Sequence, residues 1–456
     1  MLNATKFWLT LTAAIPVAMP ALAAEQFSAV LAGHAVIPAQ TFVPPPADAP
    51  ALFATSGKFT ADNQQRVDRL YSLPGTSFLS DAKAPRYTGI SRPFVGQPVQ
   101  GFSGIKALGN GEFLALVDNG FGSKTNSPDA MLMVHRIKPD WASGRVEILE
   151  TLFLHDPDRV IPFPIVTESS TTRYLTGADF DLESIQPING KIWFGDEFGP
   201  CLFVTDMTGK ILAFYETQVA GKTVRSPDHY RQNLPAVPGE VTFEVRRSRG
   251  FEGMAASPDG RFLYPLFEGP LWDSQTKAFE NKDGREFLRI VQFDMETGKF
   301  TDRQWRYLLE ANGNNIGDFN MIDNTRALII ERDNGEGDSA LACRGEITAQ
   351  CFNKPAQFKR VYLVDFAQAD SEGFVRKIGY IDLLDIVDPE GVARINSKQG
   401  RFSFPFVTIE NVDRVDAQHI IVANDNNLPF SSGRALGQQD NNEFMLLNVQ
   451  EMLRAR

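Results

Sequence analysis

Cysteine and histidine are scarce in this 456-residue sequence, which has three of the first and five of the second. The histidines, at 34, 135, 155, 229 and 419, stand far apart, and no CxxC or Cys/His cluster occurs. That excludes the ligand sets preferred by zinc and copper. Gly-x-Ser-x-Gly, HExxH and a phosphate loop ending in Gly-Lys-Ser/Thr are also missing. A serine-hydrolase elbow, a zincin helix and a nucleotide cradle go with them. Basic runs are absent and the formal charge is −11, so nucleic acid and anionic membrane are excluded as partners. After the first two dozen residues no apolar run is long enough to span a bilayer.

The N-terminal residues have a different character. Lys6 precedes an uncharged apolar stretch at 7–22, and Ala21-Leu22-Ala23 supplies the small-x-small pattern of a signal peptidase site. Pro16 and Pro20 oppose a regular spanning helix. Residues 1–24 therefore read as a signal peptide and 25–456 as one mature domain. The expected location is the periplasm or the medium, and the expected state is a monomer. Cys343 and Cys351 enclose a short loop that a disulfide could close in an oxidising compartment. Cys201 stands alone and reads as an inert thiol.

What the chain has in quantity is Phe (35), Gly (36) and Pro (28), a mixture that suits many short strands joined by turns. Five segments share one plan: a polar residue, a strand, a tight turn, a second strand, then acidic or amide residues. Their leading residues are Ser103, Glu183, Glu252, Asp318 and Glu410, spaced 66 to 92 residues apart. Asn110-Gly111, Asn189-Gly190 and Asp259-Gly260 mark the hairpin turns. About four strands per unit, repeated radially, predict an all-β, single β-propeller. Six blades are expected, with five or seven also compatible. The segment 27–43 is expected to add a strand to the last blade beside a strand at 444–449, and a helix is expected at 63–71.

The repeat also places chemistry. A strand out, a turn and a strand back return the chain to the edge it left, because antiparallel neighbours lie about 5 Å apart. Radial symmetry would then gather Glu183, Glu197, Glu252, Glu268, Asp318, Glu331, Glu410 and Asp425 at one end of the channel. Carboxylates so close repel one another unless cations neutralise them. A hard cation with oxygen ligands, calcium, in unknown number, is the expected cofactor. Asp333 to Asp338 misses the EF-hand spacing and reads as a turn.

Glu252 within Gly250-Phe251-Glu252-Gly253-Met254 resembles a motif of the phytase-like (esterase-like activity of phytase) family. So do Asp196-Glu197-Phe198-Gly199-Pro200, Glu268-Gly269-Pro270-Leu271, Glu331-Arg332-Asp333 and Asp425-Asn426-Asn427. The openings Gly33-His34-Ala35 and Pro38-Ala39 are similar to that family's start. Ser103 and Ile185 stand where the repeat calls for Glu-Gly, and Asn411 where Gly is usual. The resemblance implies an exported propeller and calcium-assisted hydrolysis of a phosphate ester by metal-activated water. Arg332, and on weaker grounds Arg249, would clamp the phosphoryl oxygens, since guanidinium matches phosphate geometry. A salt bridge to a neighbouring acid is the alternative role for Arg332. Two other readings stay open: a propeller lactonase or carboxylesterase, and a non-catalytic binding propeller stabilised by calcium.

Overall fold

The computed structural model describes residues 23–60, 65–232, 243–395 and 397–456. Residues 1–22, most of the stretch expected as a signal peptide at 1–24, lie outside that set. Strands dominate because apolar residues alternate on both faces of each segment. Trp193 packs towards one neighbouring sheet and Phe194 towards the other, the period-2 alternation of a strand buried on both sides.

After β1 (Glu25–Phe27) and β2 (Val30–Ile37), the strands form successive antiparallel sheets of four. The first blade is β3 (Phe102–Gly109), β4 (Glu112–Val117), β5 (Met133–Asp140) and β6 (Arg145–Phe153). The second is β7 (Leu182–Ile188), β8 (Lys191–Asp196), β9 (Cys201–Asp206) and β10 (Ile211–Glu216). β11 (Phe251–Ala256), β12 (Phe262–Phe267), β13 (Arg285–Asp294) and β14 (Lys299–Leu308) make the third. The fourth holds β15 (Asn315–Met321), β16 (Arg326–Arg332), β17 (Lys359–Asp365) and β18 (Arg376–Asp382), with β1 added in parallel at its edge. β19 (Ile409–Arg414), β20 (His419–Asn424) and β21 (Asn442–Asn448) begin the fifth, and β2 completes it by pairing antiparallel with β21.

The innermost strands β3, β7, β11, β15 and β19 pack each on the next, and β19 packs on β3 to close the ring. One apolar cluster fills each space between neighbouring blades. This is a β-propeller of five blades among the described residues, the lower count the repeat allowed, not the expected six. The reason lies at the termini. The N-terminal strand and the C-terminal strand complete the fifth sheet, and the 92-residue step to Glu410 is occupied by the fourth blade's outer strands and loops. The closure by a strand within 27–43 is as expected.

Asn110, Gly111, Asn189 and Gly190 all have positive φ, as two-residue type I′ hairpins require. Residues 65–71 form no helix. Thr60 donates to the Gln65 carbonyl and Val67 to that of Lys58, and residues 63–64 of the expected helix lie outside the described residues. The short α1 (Gln450–Arg454) follows the last strand. Cys343 and Cys351 are bonded, and Cys201 is buried.

Candidate metal centre

Each inner hairpin carries the same irregularity at its channel end. Pairing of the first strand with the second slips at Ser103, Glu183, Glu252, Gly317 and Glu410. Such a bulge re-aims the extra residue out of the ladder. The returning strand ends beside it: the amides of Asp118, Glu197 and Glu268 donate to the carbonyls of Gly101, Asp181 and Gly250, each at 2.8 Å. Arg332 and Asp425 occupy the same station in the fourth and fifth blades.

These stations converge in three overlapping carboxylate triads: Asp181, Glu183 and Glu197; Glu183, Glu252 and Glu410; Glu197, Glu252 and Glu268. Within each triad one oxygen per residue lies within 4.8 Å of the others. Glu183 keeps partial access to solvent, whereas the other five are buried. Burial first, and neighbouring carboxylates after it, push Glu183, Glu197 and Glu252 well above the carboxylate range. Burial likewise pushes Asp181 up to about 7, although Glu183 and the Asn119 amide hydrogen-bond to it. One oxygen each of Glu197 and Glu252 is buried without a hydrogen-bond partner.

Two guanidiniums enter the cluster. Arg332 donates to Glu410 at 2.5 Å and lies 3.9 Å from Glu268. Arg249 pairs with the other oxygen of Glu268. Arg332 thus makes the salt bridge to a neighbouring acid that was named as its alternative role. Against six carboxylates these two cations leave four negative charges if every acid is ionised (six minus two). Ser103 donates to Glu410 at 2.9 Å.

Three expected ligands, Asp318, Glu331 and Asp425, lie outside the triads. Asp318 follows the bulge position Gly317 and so lies one residue out of register, on the next face of the strand. Its carboxylate accepts from the amides of Ile105 and Val412, at 3.3 and 3.2 Å, stitching the first, fourth and fifth blades together beneath the cluster. Lys106, Gln186 and Asn320 join that layer, so the channel below the acids is filled by protein polar groups. Glu331 is shifted in the same way: Arg332 takes the channel station, leaving Glu331 buried against Tyr307, Asn314 and Lys377 at 2.8 to 2.9 Å. Asp425 is buried, accepts from the Asn427 amide, and has its pKa raised by burial and by Glu410. Asp181 was not foreseen, although it lies two residues before Glu183 in the same motif. Asp118 at the first blade's station was not foreseen either.

The family described as phytase-like, esterase-like activity of phytase, matches residues 97–428, which include all five inner hairpins. The chain belongs to the phytase-like family. A protein of Arthroderma benhamiae, described as an uncharacterized secreted protein, is 27% identical over 124 residues. That match covers 25% of this chain and 24% of the relative. Among solved structures, a luciferin-regenerating enzyme is 10% identical with a TM-score of 0.32, covering 83% of this chain and 92% of its own. A PQQ-bound aldose sugar dehydrogenase from Streptomyces coelicolor is 11% identical with a TM-score of 0.32, covering 77% and 94%. The assignment of this phytase-like chain as a propeller rests on its own strand pairing. No helix among the described residues is long and apolar enough to cross a membrane.

Proposed function

We propose that the central acids hold calcium and that this exported phytase-like protein hydrolyses a phosphate monoester outside the cytoplasm. One observation carries the reading: three carboxylate triads share members, and two of their buried oxygens lack any partner. Oxygen-only donors at that density suit a hard divalent cation, and nitrogen and sulfur ligands are absent from the triads. Bound there, such a cation would offset phosphoryl charge and acidify a water.

The chain's own residues have separate tasks. Glu183, Glu197 and Glu252 would ligate, each shared between two triads. Arg332 and Arg249 hold Glu410 and Glu268 in place through salt bridges. A phosphoryl oxygen would have to share those guanidiniums with the acids. That occupancy is the specific observation favouring a second reading, in which a neutral carboxylic ester or lactone is the substrate.

The test is hydrolysis of an aryl phosphate and of an aryl acetate by purified protein, with calcium and with chelator. Phosphate release that disappears on chelation and returns with calcium is the expected result. Acetate hydrolysis alone would move the assignment to the second reading. Neither activity, with calcium still raising the melting temperature, would leave the centre structural.

A further inference from the structure

Glu331, displaced from the channel, leads to a different site. Its carboxylate and that of Glu310 hold the Lys377 ammonium, at 2.9 and 2.7 Å. Lys377 lines a cleft of about 710 Å³ between the third and fourth blades. Arg285, Arg360 and Arg376 line the same cleft, with Tyr362 and Tyr380. None of these three arginines has a carboxylate within salt-bridge distance among the described residues. Arg285 donates to the Leu309 carbonyl at 2.6 Å, Arg360 to the Tyr362 hydroxyl at 3.0 Å and Arg376 to the Gln368 amide oxygen.

Their neutral partners are unusual in a chain with an excess of eleven acids. Arg360 is also held flat, its guanidinium carbon 3.9 Å from the centre of the Tyr380 ring and 4.4 Å from that of Phe358. Stacking of this kind fixes the plane and leaves the edge N–H groups free to donate. Glu310 reports the same field. Partial burial favours its neutral form, yet Lys377, with Arg285 and Arg360, holds its pKa below the ordinary value.

We propose that this interblade cleft binds a small organic anion with at least two negative charges, carried on phosphate or carboxylate groups. Three guanidiniums held by neutral acceptors around one cavity are the feature that such an anion would complete, by charge-assisted and bidentate hydrogen bonds. The site is separate from the carboxylate centre and does not depend on the activity assigned there.

Calorimetric titration of metal-free protein with pyrophosphate and with tricarballylate tests the proposal and separates the two chemistries. Saturable binding of one of them is expected, weakened roughly tenfold by Arg285→Gln or by Arg360→Lys, since each loses a charge-assisted bond. Arg285 is exposed, so its variant should keep the wild-type melting temperature. Failure of both anions to bind would overturn the proposal. So would binding of undiminished strength in the two variants.

Discussion

The third blade presents Glu252 and Glu268 to the channel, whereas the fourth, with a bulge at the same place, presents Gly317 and Arg332. Glu252 belongs to two of the carboxylate triads, and Glu268 to one. Gly317 could not carry an acid: a Cβ there would lie 2.4 Å from the Ile409 carbonyl and 2.9 Å from the Glu410 Cα. The fourth and fifth blades approach too closely at that point for any side chain. Its other station then holds a cation, which is positioned between Glu268 and Glu410. Identical backbone geometry thus serves opposite charges, and the fourth blade acts as the internal counter-ion to the others.

Removing that counter-ion should have the largest effect. Arg332→Met leaves Glu410 and Glu268 buried without their shared cation, and a loss of about 3–5 kcal/mol is expected in chelator. Chemical denaturation of the variant with and without calcium measures it. Unchanged stability would show that the fourth blade does not balance the acids. The same variant with unchanged turnover would remove Arg332 from any role at a phosphoryl group.

A smaller effect is expected from Gly317→Ala, which forces backbone apart between the fourth and fifth blades at a cost of about 1–3 kcal/mol. Gly253 is the matched control across the comparison, since a Cβ there would meet the Phe319 Cβ at 2.7 Å. Both alanine variants should lower the denaturation midpoint without altering its slope. If the Gly317 variant is as stable as wild type, close packing does not explain the missing acid.

The most gradual effect is one of pH. Burial raises Asp181 from the ordinary carboxylate range to about 7, and it raises Glu183, Glu197 and Glu252 as well. A raised acid binds its proton more tightly in the folded state. Its contribution is fully present below the unfolded pKa and is lost as pH rises through the folded one. In chelator, stability should therefore fall steadily as pH rises from about 5 to about 7. Calcium should reverse the fall by favouring the ionised acids. A calcium effect that shrinks as pH rises would contradict that linkage.

The hairpins were legible because Asn-Gly turns and alternating apolar residues are local signals. Closeness of the acids followed from antiparallel return within each hairpin and from the radial repeat of the hairpins. Single-residue register was not legible, and this is where Asp318 and Glu331 were misassigned. Each lies beside the residue that occupies the channel station, and in a strand the adjacent residue faces the opposite side. Asp181 opens the same motif but was not counted because Glu183 was taken as its leading acid, although the amide–carbonyl bond between Glu197 and Asp181 brings it to the same place.

The sequence by itself determined the repeating hairpins, the family and the oxygen-rich chemistry of the centre, since all three follow from residue type and spacing along the chain. Tertiary structure decided the number of blades, because only pairing between β2 and β21 shows that both termini finish one sheet. It also decided which acids meet, which are sealed by arginine and which turn outward to build a basic cleft. Those outcomes depend on bulges and on contacts between blades, which join residues hundreds of positions apart.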